Sequence, residues 1–151
     1  MKIWSLHPKY LTGRQLKAGW RDGLRALKIL SSDTPGGAVY YPELSIFRMQ
    51  SNPVYAVSLY LRGLAMEASR RGIFFDVARL PDIPEDYRVR IPVNAGQIEY
   101  EWRQLIRQLA PKSLLKARLL SAKDRHDLNP LFLRRPTGSV AAWQRLSDSS
   151  V

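Results

Sequence analysis

The sequence predicts an all-α fold: one compact single-domain helical bundle over residues 1–151, with long ordered loops and a tail from about residue 147 that frays. Three observations predict it. Apolar residues recur at three- and four-residue spacing over long segments, whereas stretches with the two-residue alternation of strands are few and weak. Helix start and stop signals bracket those segments. The 151 residues, 45% hydrophobic, suffice for one core and contain no repeat or linker that would divide it.

In chain order, Thr12-Gly13-Arg14-Gln15 reads as a capping box opening a helix to Leu30. Leu16, Trp20, Leu24, Leu27 and Leu30 form its apolar stripe, and Arg14, Lys17, Arg21, Arg25 and Lys28 form a second face without acids. Asp22 stands among Ala18, Gly19, Arg25 and Ala26. Gly19 and Gly23 each cost a helix interior about 1 kcal/mol relative to alanine. They signal either packing against another helix or a hollow floored by a carboxylate, and the residues leave both open. Ser31–Gly37 is a polar loop, and Pro42 opens a short helical piece. Asn52-Pro53 caps a broad apolar helix, the central one, which stops at Arg70-Arg71-Gly72. Its Tyr55 and Tyr60 are stacking or packing residues. Ile73–Pro92 carries three prolines and reads as an ordered loop. Asn94 caps the next helix, Gln97–Leu109, whose Ile98, Trp102, Leu105 and Leu109 face inward, and Pro111 forbids its continuation. A helix over Ser113–Lys123 sets leucines on one side and Lys112, Lys116, Arg118 and Lys123 on the other. Asn129–Gly138 reads as a basic loop, followed by a short helix around Val140–Leu146.

Charge narrows the function. Lys plus Arg number 24 against 13 acids, a formal +11, so the partner is a polyanion, nucleic acid being the commonest. The acid-free stripe from Arg14 to Lys28 suits phosphate contact. The absence of cysteine excludes disulfides and thiolate chemistry and fits a reducing cytoplasm. Two histidines argue against a histidine zinc site, and no apolar run reaches signal or membrane-span length. Phosphate loop, dinucleotide fingerprint and nucleophile elbow are all missing. Asp82, Glu85 and Asp86 are followed at once by Arg88 and Arg90, and read as a salt-bridged loop rather than a metal site. No cofactor is implied. An enzyme of this composition acts through an amine or a lone carboxylate, and the pair to consider is the Met1 α-amine with Asp22. His7, Trp20 and Trp102 read as structural.

Several segments together resemble the pyrimidine-dimer DNA glycosylases, the endonuclease V type of phage and bacterial repair enzyme. Trp20-Arg21-Asp22-Gly23-Leu24-Arg25 resembles the family's aromatic-Arg-Glu-x-x-Arg segment. Glu67-Ala68-Ser69-Arg70-Arg71-Gly72 resembles its helix end, and Asp82-Ile83-Pro84-Glu85-Asp86-Tyr87-Arg88 with Ile91-Pro92 its Asp-Ile-Pro loop. Met1 to Leu11, Gly96 to Trp102 and Asn129 to Phe132 are similar to its cellular branch. The likeness runs in order through most of residues 1–110 and weakens beyond.

The resemblance implies a monomeric, metal-independent glycosylase and abasic-site lyase on damaged double-stranded DNA, cytoplasmic, nucleoid-associated or phage-encoded. It implies an amine nucleophile, a carboxylate at Asp22 and DNA-binding cations at Lys2, Arg21 and Arg25. Arg14, Lys17, Lys116 and Arg118 join that DNA-binding set through the charge pattern. An α-amine titrates near 8, about two units below lysine, so more of it is neutral at pH 7. The phage enzyme begins with a small residue after methionine removal. Lys2 is large, so Met1 is expected to stay and to supply the amine, with the Lys2 side chain as alternative. Asp22 stands for a family glutamate, Gln15 for a histidine, and the aromatic C-terminal run is replaced by a basic tail. Two other readings remain: a non-catalytic DNA- or RNA-binding module on the same fold, and a lyase without the glycosylase step.

Overall fold

The computed structural model describes residues 1–32, 41–109, 111, 113–121 and 126–135. Five helices carry most of them: α1 (Gly13–Ser31), α2 (Ser45–Arg48), α3 (Pro53–Arg70), α4 (Ala95–Leu109) and α5 (Leu114–Ser121). Short 3-10 turns stand at Pro8–Tyr10, Pro42–Leu44 and Val77–Arg79.

The start signals act as read. Thr12 accepts from the Gln15 amide while the Gln15 side chain accepts from the Thr12 amide, closing the capping box. Asn52 accepts from the Tyr55 amide with Pro53 in the first turn of α3. Asn94 accepts from the Gln97 amide at 2.8 Å, though α4 begins two residues earlier, at Ala95. Gly72, at φ 79°, ends the α3 region in the left-handed conformation that favours glycine.

The all-α expectation needs one correction. β1 (Ile91–Asn94) and β2 (Phe132–Arg135) form a two-stranded parallel sheet, with Ile91 opposite Phe132. Both lie in stretches read as loops. Ile91 and Val93 alternate inward, so the strand pattern is present, but four residues including a proline are too few to declare it. β2 buries only Phe132. A second departure concerns α5, which turns Ala117 and Leu120 inward while Leu114, Leu115 and Leu119 lie exposed. Its leucines therefore do not form one buried side. The tail helix around Val140–Leu146 lies outside the described residues.

Between α1 and α3 the two glycines show their purpose. A Cβ on Gly23 would stand 2.3 Å from Leu61 Cδ2, and one on Gly19 3.3 Å from Leu64 Cδ1. Both leucines are buried core residues. The packing reading wins over the hollow. Gly23→Ala is expected to destabilise the protein by about 2 kcal/mol, because so close an overlap lies high in the overpacking range and exceeds alanine's helix gain of about 1 kcal/mol. Gly19→Ala should be near neutral. Equal denaturant midpoints for the two variants would contradict this account.

The N-terminal segment threads through the core. Ile3, Trp4, Leu6, Tyr10 and Leu11 are buried. Trp4 donates its amide to the Tyr60 hydroxyl at 3.1 Å. Ser5 donates both amide (2.7 Å) and hydroxyl (2.6 Å) to Glu101, which also accepts from Gln97 at 3.1 Å. Burial pushes the Glu101 carboxyl above its ordinary range, against the pull of Lys2 and these donors. Leu6 bridges Leu128 antiparallel. Glu67 holds Arg70 and Arg71, and the hydrogen bond from Arg70 keeps its carboxyl below the usual range against burial. Arg71 in turn donates to the carbonyls of Leu11 (2.7 Å), Lys9 (3.1 Å) and Pro8 (3.3 Å). The basic-basic-glycine helix end is thus a clamp on the N-terminal segment.

Candidate active site

The chain's first residue is tucked against α1 and the Pro42–Leu44 turn. The Met1 side chain is fully buried while the residue as a whole is partly exposed, so its remaining exposure lies on the main chain that carries the amine. Two carboxylates approach this end of the chain. Asp22, half-buried on α1, accepts the Lys2 amide at 3.0 Å through Oδ2. Glu43, 3% exposed, places Oε1 4.0 Å from the Met1 amine. Asp22 therefore grips the first peptide unit, and Glu43 faces the amine itself.

Glu43 escaped the sequence reading. Its signal was its position as an acid in the first turn after Pro42, within the apolar stretch Tyr40–Leu44. A lone glutamate at the start of a short helix ordinarily complements the helix dipole in solvent. Burial beside a terminal amine is a tertiary fact.

Lys2 turns away from Asp22. Its ammonium hydrogen-bonds to Gln104 on α4 and lies 4.8 Å above the Trp4 ring. The structure therefore brings together the Met1 amine, Asp22, Glu43 and the Lys2 main chain, and sends the Lys2 side chain towards α4.

Arg14, Lys17, Arg21 and Arg25 are exposed along α1, and among the described residues none of the four forms an ion pair with an acid. At about 100° per residue, Asp22 projects to one side of this stripe and Trp20 to the other. Lys116 and Arg118 sit apart, on α5. Burial, then the charge of Arg71, lowers the Lys116 ammonium below the usual lysine range. Arg118 is exposed.

The remaining polar residues are structural. His7 accepts the Lys9 amide at 3.0 Å and caps the 3-10 turn. His126 stacks on Trp102 at 3.9 Å between centroids, with burial lowering its pKa. Gln15 is committed to its capping box and to Gln108. Tyr60 is fully buried. Tyr87 donates its hydroxyl to the Asn52 carbonyl at 3.3 Å, and Arg88 donates to the carbonyls of Glu85 and Tyr87, which orders the acidic loop. Among the described residues no three His, Asp or Glu side chains converge to hold a metal ion, and no helix is long and apolar enough to cross a membrane.

Comparison with known proteins adds one finding. No curated protein matches the chain, and no solved structure does. A family model described as pyrimidine dimer DNA glycosylase matches residues 1–79, just over half of the 151. The matched span contains Met1, Asp22, Glu43, the basic stripe of α1 and the clamp from α3 that positions the N-terminal segment. The chain thus belongs to the pyrimidine dimer DNA glycosylase family.

Proposed function

We propose that this protein excises damaged pyrimidines such as UV dimers from double-stranded DNA and then nicks the strand, using the Met1 α-amine as nucleophile. The observation that carries the reading is the Met1 amine facing Glu43 at 4.0 Å, with Asp22 bonded to the next peptide nitrogen, beside an acid-free cationic stripe.

The neutral amine attacks C1′ of the damaged nucleotide. The glycosidic bond breaks and its electron pair leaves with the base. The nitrogen loses a proton as the sugar ring opens, O4′ gains one, and a protonated Schiff base joins Met1 to C1′. That imine acidifies C2′–H. A carboxylate takes the proton, and the electron pair expels the 3′-phosphate by β-elimination; hydrolysis of the imine then frees the amine. Glu43, which faces the amine, accepts its proton in this mechanism. Asp22 holds the first peptide in register and puts negative charge beside the cationic sugar. The stripe from Arg14 through Arg25, with Lys2, Lys116 and Arg118 as outlying contacts, neutralises phosphates. An extruded nucleotide is the geometry that brings C1′ within reach.

A UV-irradiated plasmid with chelator present tests this. The protein is expected to nick it, and borohydride is expected to trap a covalent adduct on both dimer-containing and abasic duplexes. Trapping on the abasic duplex alone would reduce the activity to a lyase. Salt-dependent binding without nicking or trapping would leave only a binding module.

A further inference from the structure

Beyond the clamp at the end of α3, the chain passes Gly72 and leaves regular structure through Ile73, Phe74 and Phe75, of which the outer two are half-buried and the middle one exposed. The Ile73 amide returns to the Ala68 carbonyl at 2.8 Å, which fixes the turn. Ile73 and Phe75 pack against the core, and Phe75 stacks on Trp20 of α1 at 4.8 Å and 13°. Both neighbours are anchored on the core, and Phe74 between them faces out. It is 80% exposed. A large aromatic held out from a doubly anchored segment is not a side chain that failed to find the core.

Its surroundings say what it faces. Phe74 edges an open groove of about 640 Å³ whose other lining includes Arg14, Lys17, Trp20, Arg21 and Phe75. The α1 wall carries the three cations, and the lining also holds three aromatic rings. A protein partner of ordinary apolar character does not match three cations on that wall, whereas nucleic acid offers both phosphates and π faces.

We propose that Phe74 is a wedge: it inserts into the DNA duplex beside the lesion and stacks on the base face exposed there, while Arg14, Lys17 and Arg21 hold the adjoining phosphates. The proposal rests on the DNA-repair reading above and adds a specificity-determining residue to it. A weakened or damaged step opens more readily than an intact one, so a wedge rewards lesions and not undamaged duplex. It also lies across the basic stripe from Asp22, so one helix presents the stripe between the reacting carboxylate and the wedge.

The experiment compares native protein, Phe74→Ala and Phe74→Trp on a duplex carrying a stable abasic-site analogue flanked by 2-aminopurine, and on the undamaged duplex. Phe74→Ala is expected to lose about tenfold in affinity for the lesion duplex, at the low end of a base–aromatic stack, with undamaged binding unchanged. Phe74→Trp should restore the affinity. The 2-aminopurine emission should change on binding of native protein and not of Phe74→Ala. Lesion affinity unaltered in Phe74→Ala, or equal losses on both duplexes, would overturn the wedge. Borohydride trapping by native protein on a duplex with a natural, aldehyde-bearing abasic site separates the two readings. Native protein that traps, with Phe74→Ala unaltered, removes the wedge alone; native protein that neither traps nor distinguishes the duplexes removes both.

Discussion

A protein whose N-terminus is acetylated or extended by a tag is expected to lose trapping and strand nicking entirely, while its salt-dependent DNA binding persists. Both treatments remove the neutral primary amine, and an amide nitrogen cannot form the imine. The borohydride-stabilised peptide from untreated protein should contain Met1 modified at its α-nitrogen. Lys2→Ala should still trap, since the Lys2 ammonium is held by Gln104 above the Trp4 ring and not beside the carboxylates. Undiminished nicking by blocked protein would end the amine mechanism, and loss of the adduct only in Lys2→Ala would transfer the nucleophile to that side chain.

The second large effect is expected at the carboxylates. Asp22→Asn and Glu43→Gln should each slow single-turnover trapping about 10²-fold, within the range for a positioned acid or base, with lesion affinity retained. The two substitutions are near-isosteric, which isolates charge from shape. They should also differ in kind. Glu43→Gln alters the group facing the amine, whereas Asp22→Asn weakens the acceptor of the Lys2 amide and so disturbs the placement of the chain end. A Glu43→Gln protein that traps at the native rate would confine Glu43 to a structural part. Circular dichroism and denaturant midpoints serve as the folding control, because Glu43 is buried.

Much of the scaffold was legible because local chemistry determined it. Thr12 with Gln15, Asn52 with Pro53, Asn94, and Gly72 are short-range devices, and each does in the structure what its neighbours in sequence say it should. The sheet was not legible: Ile91 pairs with Phe132, and no property of either tetrapeptide points to a partner so distant. The same division runs through the site. Asp22 stands out in sequence through its helical neighbours and its motif, and the structure adds its bond to the Lys2 amide. Glu43 does not stand out, because it meets the amine only when the Pro42–Leu44 turn closes over the chain end. Gly19 and Gly23 fell between, since sequence shows that glycine is required and only Leu61 and Leu64 show why. Phe74 reads in sequence as one more apolar residue, and its exposure depends on what Ile73 and Phe75 find to pack against.

The threading of the N-terminal segment through the core bears on the reactivity of its end. Trp4 is tied to Tyr60 and Ser5 to Glu101, so the tether that carries the amine is only Met1, Lys2 and Ile3. Three residues span at most about 10 Å fully extended, and the Lys2 amide bonded to Asp22 shortens the free length further. A terminal amine on a loose arm would sample a large volume and meet its target at millimolar effective concentration or below. For the proposed attack on DNA, holding it this way shrinks its search volume towards a single trajectory, and most of the translational entropy of the encounter is surrendered during folding. On the proposed mechanism, Glu101 and Tyr60, neither of them beside the amine, thereby set the effective molarity of the nucleophile.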